Sequence, residues 1–447
     1  MIVKNTTNDL LNSKEKKMRQ KILVIFIILA ILLSACSQKN AINTDEPTEI
    51  KQTESVAIEE TASTTTVTLS YVIWDSIQAE AHERIIDAFE AAHPNIKVNL
   101  EVFSWDSYWD KLNTALAGND AYDVFWLNVA GVPKRASKGL LLNLQPYMDA
   151  DPIDFSAFPD YLVEAYQYNG DTYGIPKDID TIALFYNKDL FDAAGVEYPN
   201  ADWTWDDLYN AAAALTTEDV WGFGHQLWGQ PDWWNFVYQN NGQLLSEDKT
   251  RVVLDDPAAC GALEYLYSFV EAGYAPDGSV LATSDPEMQL FPGGKLAMFP
   301  DGSWMVSEFA NLDFNVGIAP LPMGITRATN VHGLGNVVWA GTQYPDEAWE
   351  FVKFLGSDTA MQIQAETGVV IPANENYRSL WTATYPELDL QVFLDGLDYG
   401  FTVTYSEIGT AWEDAIYSVI NDTWNGNISI DQTCQLAAES GTSELNP

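Results

Sequence analysis

The sequence has few positively charged residues for its length. Its 447 residues include 22 Lys and Arg against 64 Asp and Glu, so the formal net charge at pH 7 is −42. Nucleic-acid binding requires a basic face that neutralises phosphates, and this composition therefore excludes nucleic acid as a partner. We interpret the acidity as a source of solubility outside the cell rather than as a docking surface.

Cysteine is also scarce, since the whole chain has three, which is too few for a disulfide framework. Cys36 belongs to an export signal. Cys260 and Cys434 occupy apolar positions of predicted helices. We predict that these two are buried free thiols rather than partners in a bridge.

The sequence shows no metal-binding or catalytic motif. Its four histidines lack the H-x-x-x-H spacing of a metal site on a helix, and we predict neither a metal nor another cofactor. A glycoside hydrolase needs two carboxyls about 5–10 Å apart across the bond, and Asp75 with Asp180 is the pair that we consider for that role. We predict a non-catalytic protein, and a secreted glycoside hydrolase is the alternative.

The N-terminal region predicts export. The apolar run 22–33 is shorter than the about 20 residues that a transmembrane helix needs. It follows a cluster of Lys and Arg and ends at Leu33-Ser34-Ala35-Cys36. This pattern predicts a signal peptide over residues 1–35, with Met18 as an alternative start of the same signal.

The residues around Cys36 resemble the lipobox of bacterial lipoproteins. The resemblance implies a diacylglyceryl group on the Cys36 thiol, cleavage just before it, and anchoring at the extracellular face of the cell membrane. The following stretch, residues 36–66, has no aromatic residue and is rich in Ser, Thr, Glu and Asn. We predict a disordered tether there, with a reach of about 30 Å.

The folded part begins with alternating strand and helix patterns. Strands are predicted at 68–74, 96–102 and 122–128, with helices between them at 78–92 and up to residue 117. This order predicts an α/β fold with a parallel sheet, in which ligands bind beyond the carboxyl ends of the strands. A chain of this length exceeds what one core usually organises, so we predict two domains.

The stretch 173–195 predicts a crossing between the two domains. A short extended piece ends at Pro176, the tetrapeptide 177–180 is polar, and the apolar strand 183–186 follows. Asn187 is then placed to cap a helix that Gly195 ends. No helix separates the two extended pieces, so we predict that the polar tetrapeptide lies at a hinge.

Three motifs carry a resemblance to a known family. They are Tyr173-Gly-Ile-Pro, then Leu184-Phe-Tyr-Asn-Lys-Asp-Leu-Phe, then Trp203-Thr-Trp-Asp-Asp-Leu. They resemble the central signature of the family-one extracellular solute-binding proteins of bacterial ABC importers, and the similarity runs from about residue 68 to the C-terminus. That family is largely carbohydrate-binding.

The resemblance implies a fold and a function. The fold is the two-lobed, class II fold of periplasmic binding proteins, each lobe a mostly parallel sheet flanked by helices. The first lobe comprises residues 67–178 and 330–376, and the second comprises 179–329 and 377–447. The implied function is that of a monomeric, lipid-anchored receptor that binds a mono- or oligosaccharide between the lobes and delivers it to a membrane permease by lobe closure.

Trp304 is the sharpest candidate for a sugar-binding residue. A sugar offers a face of C–H groups to an aromatic ring and a rim of hydroxyls to polar groups. Trp304 sits one turn into a predicted helix, where the first N–H groups, at Gly302 and Ser303, are predicted to be free to bind a hydroxyl. The resemblance places this Gly-Ser-Trp turn in the cleft.

The other candidates stand at strand ends, at the hinge and in polar loops. They are Trp74, Asp75, Trp105, Trp126, Asn128, Asp180, Trp228, Trp233, Trp234, Gly335, Asn336 and Tyr405. Core packing is the alternative for the tryptophans, a turn cap for Asp75 and Asn128, and a solvated charge for Asp180. The three tryptophans of 228–234 are not all expected to face the ligand, and Gly335 with Asn336 fits a plain turn equally well.

Two other solutes remain alternatives to a sugar. A polyamine would require several carboxylates, which the chain has. A glycerol phosphodiester would require arginines at the cleft, and the positions matched to the family have none.

Overall fold

The computed structural model describes residues 66–446, all of which belong to one compact unit. The predicted signal peptide, Cys36 and nearly all of the predicted tether therefore lie outside the described residues. The strands are β1 (Val67–Ile73), β2 (Ile96–Val102), β3 (Val124–Asn128), β4 (Gln167–Tyr168), β5 (Asp171–Thr172), β6 (Gly174–Pro176), β7 (Asp178–Ile179), β8 (Ile182–Asn187), β9 (Met298–Gly302), β10 (Val316–Ala319), β11 (Thr329–Asn330), β12 (Leu334–Val338), β13 (Ile371–Pro372) and β14 (Gly400–Phe401).

The α-helices alternate with these strands at first and dominate the C-terminal part. They are α1 (Ala79–Ala92), α2 (Trp105–Ala117), α3 (Val132–Ser137), α4 (Gln145–Ala150), α5 (Asp160–Ala165), α6 (Lys188–Ala194), α7 (Trp205–Leu215), α8 (Trp233–Gln239), α9 (Pro257–Glu271), α10 (Gly278–Leu281), α11 (Val306–Phe309), α12 (Pro345–Leu355), α13 (Asp358–Thr367), α14 (Arg378–Thr382), α15 (Gln391–Asp395), α16 (Ala411–Trp424) and α17 (Ile430–Leu445). Among the described helices, none is long and apolar enough to cross a membrane.

The larger sheet has the strand order β2-β1-β3-β12-β6. β1 pairs in parallel with both β2 and β3, so the predicted strand–helix–strand–helix–strand start is confirmed. β12, from the later part of the chain, runs antiparallel between β3 and β6. The carboxyl ends of β1 and β3 therefore lie at one edge of this sheet, where β12 begins.

The smaller sheet has the order β10-β8-β9 and is antiparallel throughout. The prediction of a mostly parallel second sheet is therefore wrong. β8 starts where the chain arrives from the first sheet, and β9 ends at that same edge, because Ile182 pairs with Gly302. Because the chain enters the sheet along β8 and leaves it along β9 at the same edge, the two strands run in opposite directions. The sequence pattern does not show the relative direction of strands that are far apart in the chain.

Two segments connect the sheets. The hinge segment, residues 177–180, joins β6 of the larger sheet to β8 of the smaller sheet, as predicted. The return segment, residues 329–333, leads back to β12. The two segments are joined by two backbone hydrogen bonds, from Asp180 N to His332 O at 2.9 Å and from His332 N to Asp180 O at 3.1 Å. The two sheets are thus linked by a short double strand, a geometry that permits hinge motion.

Local capping follows the sequence closely in the second lobe. The Asn187 side chain accepts hydrogen bonds from the backbone N–H groups of Asp189 and Leu190, and α6 ends at Gly195 with φ of 66°. Thr204 and Asp207 form a capping box at the start of α7. These contacts satisfy free N–H groups of the first helical turn, which is why the short polar motifs predicted the helix starts.

The predicted free thiols are instead a disulfide. Cys260 of α9 and Cys434 of α17 are bonded, with their Cα atoms 5.5 Å apart. Both cysteines lie on the packed faces of neighbouring helices, and 174 positions separate them in the sequence. The prediction was wrong because single-sequence patterns do not reveal which distant helices pack together.

We expect this disulfide to stabilise the fold. Closing so long a loop restricts the unfolded chain, and the loss of such a bond typically costs about 2–5 kcal/mol. The Cys260→Ser/Cys434→Ser variant should therefore unfold at a lower urea concentration than the wild type. Reductant should lower the wild-type midpoint and leave that of the double variant unchanged. An identical wild-type midpoint with and without reductant would contradict the expectation.

Candidate functional site

The candidate site lies where the two lobes face each other, which we call the interlobe cleft. Its first wall consists of the residues that follow β1 and β3, and its second wall of residues 226–230, 285–287 and 301–304. Trp74 of the first wall and Trp304 of the second pack against the same apolar cluster. Asp75 of the first wall acts electrostatically on Glu287 of the second. That the candidate residues of the two lobes converge on one ligand remains a prediction.

Trp304 is partly exposed and lies directly after the second sheet. Gly302 ends β9, and a Cβ atom there would collide with the Trp304 ring, so the glycine lets the indole fold back over the strand end. The indole makes a side-chain hydrogen bond to Glu287, in which the N–H is the only available donor. The hydrogen bond from its N–H group to Glu287 therefore fixes the orientation of the Trp304 ring.

The backbone donors next to Trp304 are not free, contrary to prediction. Gly302 N donates to Asp301 Oδ1 at 2.7 Å, and Ser303 N donates to Thr181 O at 3.1 Å. Both N–H donors are therefore used. One binds the side chain of the preceding Asp301, and the other binds the carbonyl of Thr181, the residue after the hinge segment. What remains at this turn is the Ser303 hydroxyl, which is buried and has no hydrogen-bond partner among the described residues.

The second wall carries two carboxyls with raised pKa values, Glu287 and Asp301, so ionisation of both is disfavoured. Burial, with the charge of Asp285 and of Asp75 adding to it, raises the pKa of Glu287 to about 7. Burial also raises the pKa of Asp301 well above its usual range, and Glu287 contributes to this shift. No Lys or Arg is among the groups that act on either carboxyl. The cleft is therefore a place where added negative charge is disfavoured.

The aromatic residues of the first wall form one cluster around Trp74. The Trp74 ring makes edge-to-face contacts with Trp105 and Trp126, with ring centroids 5.2 and 5.1 Å away. Trp74 is partly exposed and Trp105 is 47% exposed, so both rings are accessible. This arrangement is typical of an aromatic platform for an apolar face of a ligand.

Trp126 does not belong to the accessible surface, and its predicted contact with ligand is wrong. Its side chain is fully buried, and its indole N–H donates to the Tyr71 hydroxyl at 2.7 Å. The Lys177 ammonium lies 4.3 Å from its ring centroid. β3 directs this side chain into the core, where Trp126 packs edge-to-face against the buried side of Trp74.

Asp75 and Asn128 both cap turns, which is the alternative considered for them. Asp75 accepts hydrogen bonds from Ile77 N and Gln78 Nε2, each at 2.8 Å. Asn128 accepts one from Gly131 N at 3.2 Å. The charge of Asp75 also adds to the raised pKa of Glu287. A ligand role for Asp75 remains a prediction.

Asp180 is not a solvated hinge charge, because it is only 8% exposed. Gln230 Nε2 donates to Asp180 Oδ1 at 3.4 Å, and His332 Nδ1 lies 3.8 Å from Asp180 Oδ2. This contact joins the hinge segment to the return segment and to a loop of the second lobe. Sequence reasoning missed Gln230, although its position among the tryptophans of 228–234 was a usable signal.

Only one of the three loop tryptophans is exposed. Trp233 and Trp234 are 4% and 3% exposed and belong to the core of the second lobe, where Trp234 stacks on Trp412. Trp228 is 53% exposed and stacks on Tyr417 with ring centroids 4.8 Å apart. Helix α8 begins at Trp233 and turns the last two rings inward, in agreement with the expectation that not all three tryptophans face the ligand. Trp233 and Trp234 are therefore removed from the candidate site residues.

Gly335 and Asn336 lie inside the larger sheet rather than at a ligand turn. They belong to β12, which is paired on both sides. Asn336 Oδ1 accepts a hydrogen bond from the Tyr71 hydroxyl at 2.8 Å, and a side chain at Gly335 would collide with Tyr166. Both predicted site positions are therefore wrong, because the return to the first lobe is a strand at this point.

Tyr405 lines a cavity of about 320 Å³, and none of the other predicted site residues lines it. Burial raises its pKa, as do the charge of Glu413 and a hydrogen bond to the Glu413 side chain. Burial, with Asp414 adding to it, in turn raises the pKa of Glu413 to about 8.

Residues 66–446 contain no group of three or more His, Cys, Asp and Glu side chains that fits a metal ion.

Comparison with known proteins gives the class of protein. Residues 74–362 match the family described as bacterial extracellular solute-binding protein, and the chain belongs to that family. The predicted family is thereby confirmed. Members of this family bind solutes and do not transform them, which confirms the prediction of a non-catalytic protein.

Individual relatives and a solved structure extend this result. The diacetylchitobiose binding protein DasA of Streptomyces coelicolor is 27% identical over 303 residues, 64% of this chain and 69% of its own. A maltooligosaccharide ABC transporter solute-binding lipoprotein of Streptococcus pneumoniae is 24% identical over 404 residues, 87% of this chain and 88% of its own. An ABC substrate-binding protein from Listeria monocytogenes, solved with cycloalternan, superposes with a TM-score of 0.80 at 28% identity, covering 85% of this chain and 98% of that one. The predicted two-lobed α/β fold class is confirmed.

The raised pKa of Glu287 predicts a pH-dependent stability. A carboxyl whose pKa is raised from 4.5 in the unfolded chain to about 7 in the folded protein supports folding at low pH, and this support is lost as the pH rises through about 7. In Glu287→Gln the side chain cannot ionise. We therefore expect its urea midpoint to exceed that of the wild type at pH 8 and to equal it near pH 4.5.

The matched control is Glu308→Gln, which changes an exposed carboxyl of α11 in the same lobe. It should follow the wild-type profile at every pH. A Glu287→Gln variant that also follows the wild-type profile would show that Glu287 is ionised in the folded protein without cost.

Proposed function

We propose that this protein is the lipid-anchored, monomeric substrate-binding component of an ABC importer and binds a mono- or oligosaccharide in the interlobe cleft. The observation that carries the proposal is the presence of accessible indoles and half-buried carboxyls in both lobes. Trp304 lies on one wall, and Trp74 with Trp105 lies on the other. Glu287 and Asp75 supply oxygen acceptors between them.

This set of groups matches the chemistry of a sugar. An indole face buries the C–H groups of a pyranose, while carboxyl and amide groups bind its hydroxyls. Asp180 and Gln230 supply such groups where the hinge segment meets the second lobe. The revised set of proposed contacts is therefore Trp74, Asp75, Trp105, Asp180, Trp228, Gln230, Glu287, Ser303 and Trp304.

The relatives support a carbohydrate ligand, because the names of both include an oligosaccharide. The Listeria structure was solved with a cyclic saccharide. These ligands belong to those proteins, and our proposal carries over the class alone. The extracellular setting follows from the family, and delivery of the sugar to a membrane permease is part of the proposal.

Lobe closure is the proposed mechanism of delivery. The proposed lobes are residues 67–178 with 330–376 and residues 179–329 with 377–447, and the strand membership of the two sheets supports this division. Contacts between them exist away from the hinge, since the Tyr168 hydroxyl donates to Glu407. A ligand that touches both walls stabilises the closed form by its differential affinity, and a permease distinguishes closed from open.

A polyamine is the second candidate, because a specific observation favours it. Asp75 and Glu287 are half-buried and Asp301 is fully buried behind them in the chain turn at Trp304, and no cationic group acts on the latter two. A bound ammonium would relieve their repulsion. A glycerol phosphodiester is not favoured, because Arg135, near the first wall, already donates to Gly131 O and Asn113 Oδ1.

The first experiment is calorimetric titration of the wild type and Trp304→Ala with a panel of mono- and oligosaccharides and with spermidine. We expect the wild type to bind sugars built from one type of monosaccharide unit. The affinity of Trp304→Ala for these sugars should be at least tenfold lower, which corresponds to about 1.4 kcal/mol. Loss of the stacking surface is the physical reason.

Tyr344→Ala, which removes an exposed ring before α12, is the matched control and should bind like the wild type. Binding of spermidine in place of every sugar would establish the polyamine alternative. Sugar binding that survives Trp304→Ala unchanged would refute the proposed site.

The lipid anchor rests on the lipobox-like sequence at Cys36 and is proposed from it alone. Cells that express the full-length protein should incorporate labelled palmitate into it, and mass spectrometry should place a diacylglyceryl group on an N-terminal Cys36. Cys36→Ser should abolish the label, because serine has no thiol to modify. Cys260→Ser is the control and should keep the label. Label that persists in Cys36→Ser would exclude this anchor.

A further inference from the structure

A buried histidine and a buried aspartate stand at the two ends of a short loop in the second lobe, residues 226–231. His225 precedes the loop and Asp232 follows it, and each is only 1% exposed. His225 Nδ1 lies 3.4 Å from Asp232 Oδ2. The two ends of the loop are thereby held together inside the core of the lobe.

Trp424 of helix α16 determines which nitrogen of His225 carries the proton. Its indole nitrogen lies 2.8 Å from His225 Nε2 and 3.2 Å from Nδ1, so the shorter hydrogen bond goes to Nε2. An indole nitrogen only donates, and Nε2 is therefore an acceptor. The proton of the neutral imidazole then lies on Nδ1, the atom that is closer to Asp232. The histidine thus connects the base of the loop to α16.

Asp232 does not perform the task that its position usually has. It occupies the N-cap position of α8, where an aspartate ordinarily accepts hydrogen bonds from the first helical N–H groups. Its side chain makes no such bond. Burial raises the pKa of its carboxyl, and contacts with His225 and with the backbone of Gln226 partly offset this rise. The carboxyl therefore serves the closure of the loop rather than the capping of the helix.

Three side chains of the loop belong to the candidate site or lie beside it. Gln226 Nε2 donates to Asp301 Oδ2 at 3.2 Å. Gln230 Nε2 donates to Asp180 Oδ1 at 3.4 Å. Trp228 is 53% exposed. A displacement of the loop would therefore move one accessible indole and two amides of the second wall at the same time.

Helix α16 supports the loop at two points. The Trp228 ring stacks on Tyr417 with centroids 4.8 Å apart, and Trp424 holds the histidine at the base. These two residues of α16 are about two helical turns apart and so lie on the same face of the helix. The buried hydroxyls of Thr423 and Thr433, 2.6 Å apart, join α16 to α17. The C-terminal helices therefore give the loop a fixed support.

We propose that His225 is a positioning residue for ligand binding. It bonds to Asp232 and Trp424 and thereby ties both ends of the loop to α16. This arrangement fixes the places of Trp228 and Gln230 in the second wall, whereas His225 itself is buried and does not touch the ligand. The inference rests on the proposed function, because the loop acts only through the ligand that the cleft binds.

The test is calorimetry of the full-length protein in detergent with maltotriose, diacetylchitobiose and galactobiose as probes. His225→Leu keeps an apolar side chain in the core and removes both polar contacts. We expect its affinity to be at least tenfold lower for each probe that the wild type binds. His225→Asn keeps a donor where Nδ1 lies and should retain most of the affinity. In a Gln230→Ala background the loss caused by His225→Leu should be smaller, because the two residues act through one loop.

The matched control is Phe191→Leu, which changes a fully buried ring in the core of the same lobe. Its ring contacts are confined to residues 186–203, away from the loop in the sequence. It should lower the urea midpoint and bind the probes like the wild type. If His225→Leu does not fold, His225→Leu/Asp232→Leu takes its place, because that variant leaves no unpaired buried charge.

Three results would overturn the positioning role and leave the proposed function intact. They are a folded His225→Leu that binds like the wild type, an equal loss of affinity in Phe191→Leu, and an undiminished loss in the Gln230→Ala background. A wild type that binds none of the three probes would overturn both proposals.

Discussion

The buried ammonium of Lys177 is the contact on which the hinge depends. Its Nζ is hydrogen-bonded to the Asp178 carboxylate and, at 2.9 Å, to Gln78 Oε1, and it lies over the Trp126 ring. A buried cation is tolerated only when several groups compensate for its lost hydration. Asp178 uses its other oxygen to accept from Leu334 N at 2.7 Å, so one ion pair joins the hinge segment to the start of β12, directly after the return segment.

The same ion pair reaches the ligand cleft through Gln78. Gln78 accepts from Lys177 with its oxygen and donates to Asp75 with its nitrogen, so its amide orientation is fixed by both partners. The charge of Asp75 in turn adds to the raised pKa of Glu287 in the other lobe. A continuous chain of hydrogen bonds therefore connects the hinge with a carboxyl whose charge disfavours ionisation of Glu287.

The sequence predicted the local structure better than the long-range contacts. The hinge segment, the caps at Asn187 and Thr204 and the first three strands depend on short patterns, in which each signal lies within a few residues of its effect. The Cys260–Cys434 bond and the antiparallel second sheet depend on which distant segments pack together, and one sequence does not record this. The influence of Asp75 on the pKa of Glu287 was missed for the same reason.

The tryptophans show why the site was only partly predictable. Residue type and sequence neighbours alone did not distinguish the buried Trp126 from the partly exposed Trp304.

The position of each tryptophan within its helix, strand or loop does distinguish these two residues. Trp126 lies inside a strand and Trp234 inside a helix, where periodicity turns the side chain to the core. Trp304, Trp105 and Trp228 lie at element ends or in loops, where the chain changes direction and the ring keeps one face in the cleft or in solvent. Because strand ends gather at the edge of a sheet that faces the other lobe, an indole at such an end is the one most able to meet a ligand.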